Sequence, residues 1–228
     1  MRISISYITE ILVSLPKTIY FNFRCLPFNK AIRLPFYVQY KTHLSGISKS
    51  CLKIAPNVAL HPFMIKFGNK GSEGVIEKSY NILCLERGAS VLFNGTASFA
   101  AGFGLNVAGE LEIGHRFNAN KNSFICCSKK MSFDEGVLVG WNVDIRDTDG
   151  HTVIVDGENK DSMKPVHIGH HVWIGSDAKI LKGVTIGSDC IIASSAVVTK
   201  GSDENNVIWA GFPAKVIQRN ANWDHRVF

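Results

Sequence analysis

Branched aliphatic residues recur at every sixth position in the last third of the chain. The series is Ile168, Ile174, Ile180, Ile186, Ile192 and Val198. Four positions after each of the first five lies a compact residue: Val172, Ala178, Val184, Cys190 and Ala196. An α-helical period would spread these aliphatics over changing faces. The pattern therefore predicts a solenoid whose coils contain three short strands, stacked in parallel on the strands of the next coil.

A looser block with the same period precedes this series. It consists of Ile113, Ala119, Ile125, Met131, Val137 and Val143. Residues 146–165 break the pattern, so we predict a loop that leaves the coil there, and long loops in compact repeat proteins are usually functional. We predict a β-helix over residues 81–212 and a C-terminal cap over 213–228, with a short helix near residues 215–223.

Residues 1–80 do not keep the repeat and are predicted as a partly helical N-terminal extension. The apolar stretch at residues 3–15 is interrupted by Glu10 and is too short to span a bilayer. Residues 1–45 contain six basic residues and one acidic residue, interleaved with aromatic residues. We favour a helix that packs its apolar side on the domain or on a neighbouring subunit. The alternative is peripheral contact with an anionic membrane surface.

Composition limits the class of protein. The 228 residues are 46% hydrophobic and 19% charged, as in a globular domain, and the net charge of +6 favours anionic partners. No nucleic-acid-binding motif is present in the sequence, so we expect no nucleic-acid partner. None of the six cysteines forms a C-x-x-C pair, which predicts free thiols in a reducing, cytoplasmic compartment.

One stretch carries a family resemblance. VHIGHHVWIGSDAKILKGVTIGSDCIIASSAVVTKG, followed by IWAGFPAKVI, resembles the hexapeptide-repeat acyltransferases, and among them sugar O-acetyltransferases of the galactoside, maltose and polysaccharide-modifying kind. The similarity covers residues 105–219 and is specific only in the second half. It implies a left-handed β-helix, a homotrimer, and acetyl-CoA bound in the groove between neighbouring helices. The handedness rests on the resemblance, because ordinary crossovers are right-handed.

The resemblance also implies a catalytic histidine on a loop before the last coils. Gly150-His151 matches that context. A neutral imidazole can take the proton of an acceptor hydroxyl as it attacks a thioester. Asp144, Asp147 and Asp149 are candidates to orient the imidazole, as in a triad without its serine. The alternative for His151 is a solvated loop histidine.

Matching to the galactoside and maltose acetyltransferase motif implies a set of residues that bind acetyl-CoA. The set is Ser176, Ser194, Thr199, Lys200 and Lys215. Backbone groups near the serines would pair with the pantetheine arm, and the lysines would meet phosphates as point charges. The family has a further basic residue three positions beyond Lys215. That position is Gln218 in this chain, and we expect the adjacent Arg219 to substitute for it.

On the acceptor side we expect Asn122, Asp149 and Trp173. Asn122 stands where the family carries an asparagine near the acceptor, although asparagine is also a common corner residue. Trp173 should face outwards, where it would stack on a sugar, cover a pantetheine arm or contact a subunit. His167, His170 and His171 suggest a zinc site like that of γ-class carbonic anhydrases, but His170 and His171 occupy corner positions and should point outwards. We therefore predict no metal.

Together these features favour an acetyl-CoA-dependent O-acetyltransferase with His151 as general base. Its expected acceptor is a sugar hydroxyl of a surface polysaccharide or its precursor, and its expected location is the cytoplasm, including the inner face of the membrane. One alternative is N-acylation of an amino sugar or nucleotide sugar. The other is a non-catalytic β-helix used as an assembly module, which would need no histidine loop.

Overall fold

A computed structural model describes residues 5–49, 51–72, 74–78 and 80–224 of the chain. Three sheets form the faces of a left-handed parallel β-helix, and the chain visits sheets A, B and C in turn. The repeat therefore predicted the parallel β-helix correctly, and the family resemblance predicted its left-handed sense. Only two strand pairs among the described residues are antiparallel, one in a loop and one at the C-terminal end.

In each sheet, strands from successive coils lie side by side. Sheet A contains β1 (Phe36–Val38), β4 (Ile65–Asn69), β7 (Ala97–Ala100), β10 (Phe117–Ala119), β13 (Leu138–Val139), β18 (Trp173–Ile174), β21 (Ile191–Ile192), β23 (Val207–Gly211) and β24 (Ala214–Arg219). Sheet B contains β2 (Thr42–Ser45), β5 (Asn81–Leu85), β8 (Gly104–Val107), β11 (Phe124–Cys127), β14 (Asp144–Arg146), β19 (Lys179–Ile180) and β22 (Val197–Val198). Sheet C contains β3 (Leu52–Ile54), β6 (Ser90–Phe93), β9 (Glu110–Ile113), β12 (Lys130–Phe133), β17 (Val166–Ile168) and β20 (Thr185–Ile186).

The regular repeat fills the core as expected. All six aliphatics from Ile168 to Val198 and all five compact residues from Val172 to Ala196 have no exposed surface. Ile168 pairs with Ile186 in the next coil, so like residues stack directly along the axis. Each ladder keeps its apolar side chains away from water, which is the main favourable contribution to stability.

The first half of the β-helix has wider coils. Leu111 pairs with Met131, and Ile113 pairs with Phe133, so register partners lie 20 residues apart instead of the 18 between Ile168 and Ile186. The two extra residues are Cys126 and Cys127. They lengthen β11, so that a further side chain, Cys127, points into the core before the corner. Counting by six from Ile113 therefore reaches the other inward position at Met131. All six residues of that block are buried, but they do not form one ladder.

Phenylalanines fill the wider coils. Phe36, Phe67 and Phe99 stack along the axis with ring centroids 6.1 and 5.3 Å apart, and Phe117 and Phe133 continue the column. Coils with more residues enclose a larger cross-section, and aromatic rings fill it without leaving cavities. The sheets place the first β-helical strand at Phe36, whereas the sequence predicted the β-helix from residue 81.

Helix α1 (Ile5–Cys25) caps the open edge of the first coil, and the short α2 (Phe28–Ala31) follows it. Ser14, Thr18 and Asn22 lie on one helix face and are fully buried against β1. The Thr18 hydroxyl bonds both the N–H (3.0 Å) and the C=O (3.2 Å) of Val38, and the Asn22 amide does the same for Phe36 at 3.1 and 2.8 Å. These side chains take the place of a neighbouring strand. They provide hydrogen-bond partners for backbone groups at the open edge of β1.

Within the described part of the chain, no helix is both long enough and apolar enough to cross a membrane. α1 packs on the domain through β1, whereas the favoured expectation placed the apolar side of the helix in that contact. The face of α1 that contacts β1 is polar at its centre, and many apolar side chains of the helix point away from the domain.

The predicted C-terminal helix is wrong. Residues 207–219 form the antiparallel pair β23 and β24, in which Ala210 pairs with Lys215 and Gly211 with Ala214. β23 continues sheet A beyond β21, and β24 then covers the edge that β23 would leave open. Pairing with an available sheet edge outweighs the weak helical propensity of this segment, because tertiary context routinely overrides propensity.

Three corners connect the sheets and organise the site. The first corner, from sheet A to sheet B, contains Lys121-Asn122, Trp141-Asn142, Ser176-Asp177 and Ser194-Ser195. The second corner, from sheet B to sheet C, contains residues 128–129, 147–165, 181–184 and 199–201. The third corner, from sheet C to sheet A, contains residues 134–136, His170-His171 and Ser188-Asp189.

Candidate active site

His151 lies on an insertion that leaves the second corner between β14 and β17. The insertion, residues 147–165, contains an antiparallel hairpin of β15 (Val153–Val155) and β16 (Glu158–Lys160). The interruption predicted for residues 146–165 is therefore a hairpin projecting from the β-helix. The His151 side chain is exposed just before the hairpin begins, as a residue must be if it is to meet a substrate in a groove.

Asp147 anchors the base of this insertion. Its side chain is fully buried, and its carboxylate accepts the backbone N–H groups of Ser128, Lys129 and Lys130 at 2.7, 2.7 and 2.8 Å. Its own carbonyl accepts the N–H of Lys164 at 2.9 Å. A buried carboxylate with three such bonds fixes the corner of the preceding coil and both ends of the insertion. The carboxylate is thereby committed to structure.

The other two aspartates considered for His151 are also engaged elsewhere. Asp144 forms an ion pair with Arg146, and Asp149 forms one with Lys182 at 2.6 Å. None of the three carboxylates has a hydrogen bond to His151 among the described residues. The Asp149 pair instead links the insertion to the next layer of the second corner. This ion pair helps to hold the loop that carries His151, and the acceptor role expected for Asp149 stays a prediction.

We expect Asp147→Ala to destabilise the protein and disorder the insertion. Three part-buried N–H groups would lose the charged, buried acceptor that they share, which should lower the free energy of unfolding by about 3–5 kcal/mol. Asp147→Asn keeps the shape but loses the charge, and we expect about half that effect. Thermal unfolding measures both. Glu158→Ala, an exposed change on β16, is the matched control and should leave the midpoint nearly unchanged.

Asn122 holds a second loop in place. Its backbone φ of 62° is the left-handed conformation that asparagine tolerates at a tight corner. Its amide donates to the Ile76 carbonyl at 2.9 Å and to Asn142 at 3.1 Å, and its side-chain oxygen accepts the Lys78 N–H at 2.9 Å. These bonds fasten the connection between β4 and β5 onto the first corner. Asn122 thus makes the contacts of a corner residue, and its expected role at the acceptor stays a prediction.

A groove of about 380 Å³ lies beside the first corner on sheet A. Two residues predicted from the sequence, Trp173 and Ser176, line it together. The structure adds residues that the sequence did not single out: Ser72, Asn120, Leu138, Gly140, Trp141, Trp223 and Asp224. Ser72 ties the loop to this groove, because its hydroxyl donates to Asn120 at 2.6 Å and accepts the Trp141 indole N–H at 3.1 Å.

Trp223 comes to the groove from the C-terminal segment that follows β24. Its indole N–H donates to the His171 carbonyl at 2.7 Å, and its ring stacks on the His171 imidazole with centroids 4.4 Å apart. It also lies 6.0 Å from the Trp173 ring, which is 39% exposed. Three tryptophans around one groove provide flat apolar surfaces for a sugar ring or a pantetheine arm.

The residues expected to bind acetyl-CoA are spread over three places. At the first corner Ser194 is exposed and Ser176 is half-buried, whereas Thr199 and Lys200 are exposed at the second corner. Lys215 is exposed on β24. Arg219 is paired with Glu204, with Nε 2.6 Å from the carboxylate, so its charge is already balanced. The expected substitution of Arg219 for the family's basic residue would require this ion pair to open.

The three histidines considered for zinc point outwards. His171 Nδ1 lies 2.9 Å from Asp189, His170 Nε2 lies 3.4 Å from the same carboxylate, and His167 Nδ1 lies 2.9 Å from the Ser132 hydroxyl. Within residues 5–49, 51–72, 74–78 and 80–224, no three His, Cys, Asp or Glu side chains converge as metal ligands would.

The cysteines are free thiols, and four of the six are buried. Burial raises the pKa of the Cys25 thiol to about 12, and burial also raises the pKa of Cys190. A thiol that stays protonated is a poor nucleophile, so these side chains act as small apolar core residues.

Four of the predicted residues fall into two groups at opposite corners of one chain. His151 and Lys200 belong to the second corner, whereas Ser176 and Ser194 belong to the first. The strands of sheet B separate the two corners along the whole second half of the β-helix. The groove beside Trp173 does not include His151 among its lining residues.

Comparisons with known proteins agree with the fold and the repeat. Residues 165–200 match the family model described as bacterial transferase hexapeptide (six repeats). Galactoside O-acetyltransferase of Escherichia coli (strain K12) is 37% identical over 110 residues, which cover 47% of this chain and 53% of the relative. Polysialic acid O-acetyltransferase of Neisseria meningitidis is 35% identical over 101 residues, covering 43% and 47%. The chain spans about half the length of the curated relatives it matches.

A solved structure shares the fold over most of its length. The crystal structure of the polySia specific acetyltransferase NeuO superposes with a TM-score of 0.52 at 22% identity, covering 84% of this chain and 83% of that one. The coil, its corners and its repeat define a left-handed β-helix of the hexapeptide class. Over residues 165–200 the chain matches the hexapeptide repeat of bacterial transferases, and it is similar over about half its length to sugar O-acetyltransferases.

Proposed function

We propose that this protein is a homotrimeric O-acetyltransferase that moves an acetyl group from acetyl-CoA to a hydroxyl of a surface polysaccharide or its precursor. One observation carries the proposal. An exposed histidine lies on a rigidly anchored insertion immediately before the coils that match the transferase hexapeptide model. A β-helix used only for assembly would have no need of that insertion. The sugar acceptor is supported by the names of the two bacterial relatives.

In the proposed reaction His151 is the general base. It takes the proton of the acceptor hydroxyl while that oxygen bonds to the acetyl carbonyl carbon. The carbon–sulfur bond then breaks, and the proton passes from the imidazole to the departing thiolate. The anion that develops on the carbonyl oxygen needs a hydrogen-bond donor, for which backbone N–H groups at a corner are suited.

The separation of the two corners is the reason to propose a trimer. If three β-helices pack side by side around a common axis, the second corner of one subunit can face the first corner of the next. His151 and Lys200 of one subunit would then meet Trp173, Ser176 and Ser194 of its neighbour across one groove. The distance across sheet B within a chain would no longer matter.

The direct test is release of free CoA thiol from acetyl-CoA in the presence of a panel of acceptors. We expect transfer to neutral or sialic-acid-containing glycans with free hydroxyls, and product masses that show an ester. Amino sugars give the comparison, because an amide product would support the N-acyltransferase alternative. Absence of thiol release with every acceptor would count against the proposed reaction.

We expect Lys200→Ala and Lys215→Ala each to raise the KM for acetyl-CoA about three- to tenfold, because each loses one exposed charge contact with phosphate. The kcat should change little. Acetyl-pantetheine provides the matched control because it carries the thioester and the pantetheine arm but lacks the phosphorylated nucleotide of CoA. If the variants lower activity equally with both donors, the lysines do not contact phosphates.

A further inference from the structure

Helix α1 has an apolar outer face. Six of its side chains point away from the β-helix and are each between 39% and 59% exposed: Ile8, Leu12, Val13, Ile19, Tyr20 and Phe23. The polar residues Ser14, Thr18 and Asn22 occupy the opposite face, where they cap β1. Phe28 and Ile32, just beyond α1, extend the exposed apolar surface. Water is an unfavourable environment for such a contiguous surface, which usually marks a binding site.

The charges at the C-terminal end of this outer face are positive. Arg24 is exposed near the end of α1, and Arg33 is exposed after α2. Glu10 is the sole acidic residue in the described part of α1, and its carboxylate turns inwards to accept hydrogen bonds from Tyr37 at 3.2 Å and Gln39 at 3.0 Å. No exposed carboxylate of the helix therefore offsets the arginines.

A basic cavity borders the same face. It has a volume of about 490 Å³ and is lined by Lys17, Lys41 and His43, with Tyr20 at its edge. The Nζ of Lys17 donates hydrogen bonds to the carbonyls of Tyr40 and Thr42 at 2.5 and 2.9 Å. Its described lining contains no acidic residue. An apolar face beside a basic, aromatic-edged cavity matches the layers of a bilayer surface, in which acyl chains lie beneath anionic headgroups.

We propose that the outer face of α1 docks the protein on an anionic membrane surface. The apolar side chains enter the boundary between headgroups and acyl chains, while the basic cavity and Arg24 contact lipid phosphates. A second copy of this chain is a poorer occupant, because it would bring like charges together. The next step rests on the trimer of the proposed function. In that trimer α1 would lie at the same end of all three β-helices, so three outer faces would bind one membrane together.

The test is sedimentation of the full-length chain with phosphatidylcholine vesicles, with and without phosphatidylglycerol. We expect binding only when phosphatidylglycerol is present, and weaker binding at high salt. Leu12→Gln with Phe23→Gln should lower the partition coefficient at least tenfold, since two apolar side chains leave the interface. Arg24→Gln with Lys41→Gln should lower it about fivefold for each charge removed.

Two variants far from α1 are the controls. Ile154→Gln removes an exposed apolar side chain of β15, and Lys130→Gln removes an exposed charge of β12; both should bind vesicles like the unchanged protein. Equal binding by the α1 variants, or no binding to phosphatidylglycerol vesicles at low salt, would overturn the proposal. The proposal would also be overturned if the wild-type protein formed an assembly larger than a trimer and the double variant Leu12→Gln with Phe23→Gln dissociated it. Vesicle binding needs no acetyl transfer, so its failure is distinguishable from failure of the proposed reaction.

Discussion

Replacing His151 by alanine is expected to lower kcat for acetyl transfer about a hundred- to ten-thousand-fold, the usual contribution of a general base. The imidazole is exposed, and the insertion is held by Asp147 and by the Asp149–Lys182 pair rather than by His151. Folding, thermal stability and assembly should therefore be unchanged. The KM for acetyl-CoA should also stay close to its original value, because the proposed role of His151 begins with the acceptor proton.

His61→Ala is the matched control for this loss. His61 is also an exposed histidine, but it lies in the first coils, and its ring Nδ1 lies 3.3 Å from the carbonyl of the neighbouring Pro62. We expect full activity in that variant. Full activity in His151→Ala, with the same acceptor and donor, would refute the role of His151 and return it to a solvated loop residue.

Mixing two inactive variants should restore activity if the site lies between subunits. His151→Ala removes the base at the second corner, and Ser194→Tyr blocks the first corner with a bulky side chain where space is needed for the donor. Each variant alone should be nearly inactive. In a trimer that contains both variants, one of the three grooves receives both unchanged corners, so about a third of the activity should return in the doubly purified trimers.

The mixed trimers are obtained by co-expressing the two variants with different affinity tags and purifying over both tags. Co-purification proves that the subunits mixed, and acetyl transfer then reports on the grooves. If each site were contained within a single chain, every chain would carry one defect and no activity would return. That result would contradict the intersubunit site while leaving the role of His151 intact.

The later coils were predictable because their inward positions are set locally. A six-residue repeat leaves no choice about which side chains face the core, and Ile174, Ile180 and Val184 are fully buried as expected. The earlier coils were harder to predict for a physical reason. Each earlier coil has two additional residues, so counting by six moves from one inward-facing position of a strand to the other, as it does at Met131. Phenylalanine also replaces the smaller aliphatic residues in the wider cross-section.

The candidate site was predictable as a set of residues but not as an arrangement. The interruption of the repeat located His151, and motif matching located Ser176. Trp173 was located by its position next to the inward-facing Ile174, which predicts that it faces outwards. Nothing local could place Trp223 in the same groove, because its contact with His171 spans 52 residues and depends on how the chain returns after β24. Likewise, Asp147 became a buried anchor only through bonds to residues 128–130 of the preceding coil.

By itself, the sequence determined the β-helical repeat, the insertion and the identity of the side chains with suitable chemistry, since these follow from local periodicity and its interruption. Tertiary structure decided the rest. It turned the C-terminal segment into a strand because an open sheet edge was available. It also assigned three aspartates to structural partners and set His151 and Ser176 on opposite edges of sheet B. Contacts between distant coils determine those outcomes, and a six-residue period carries no information about them.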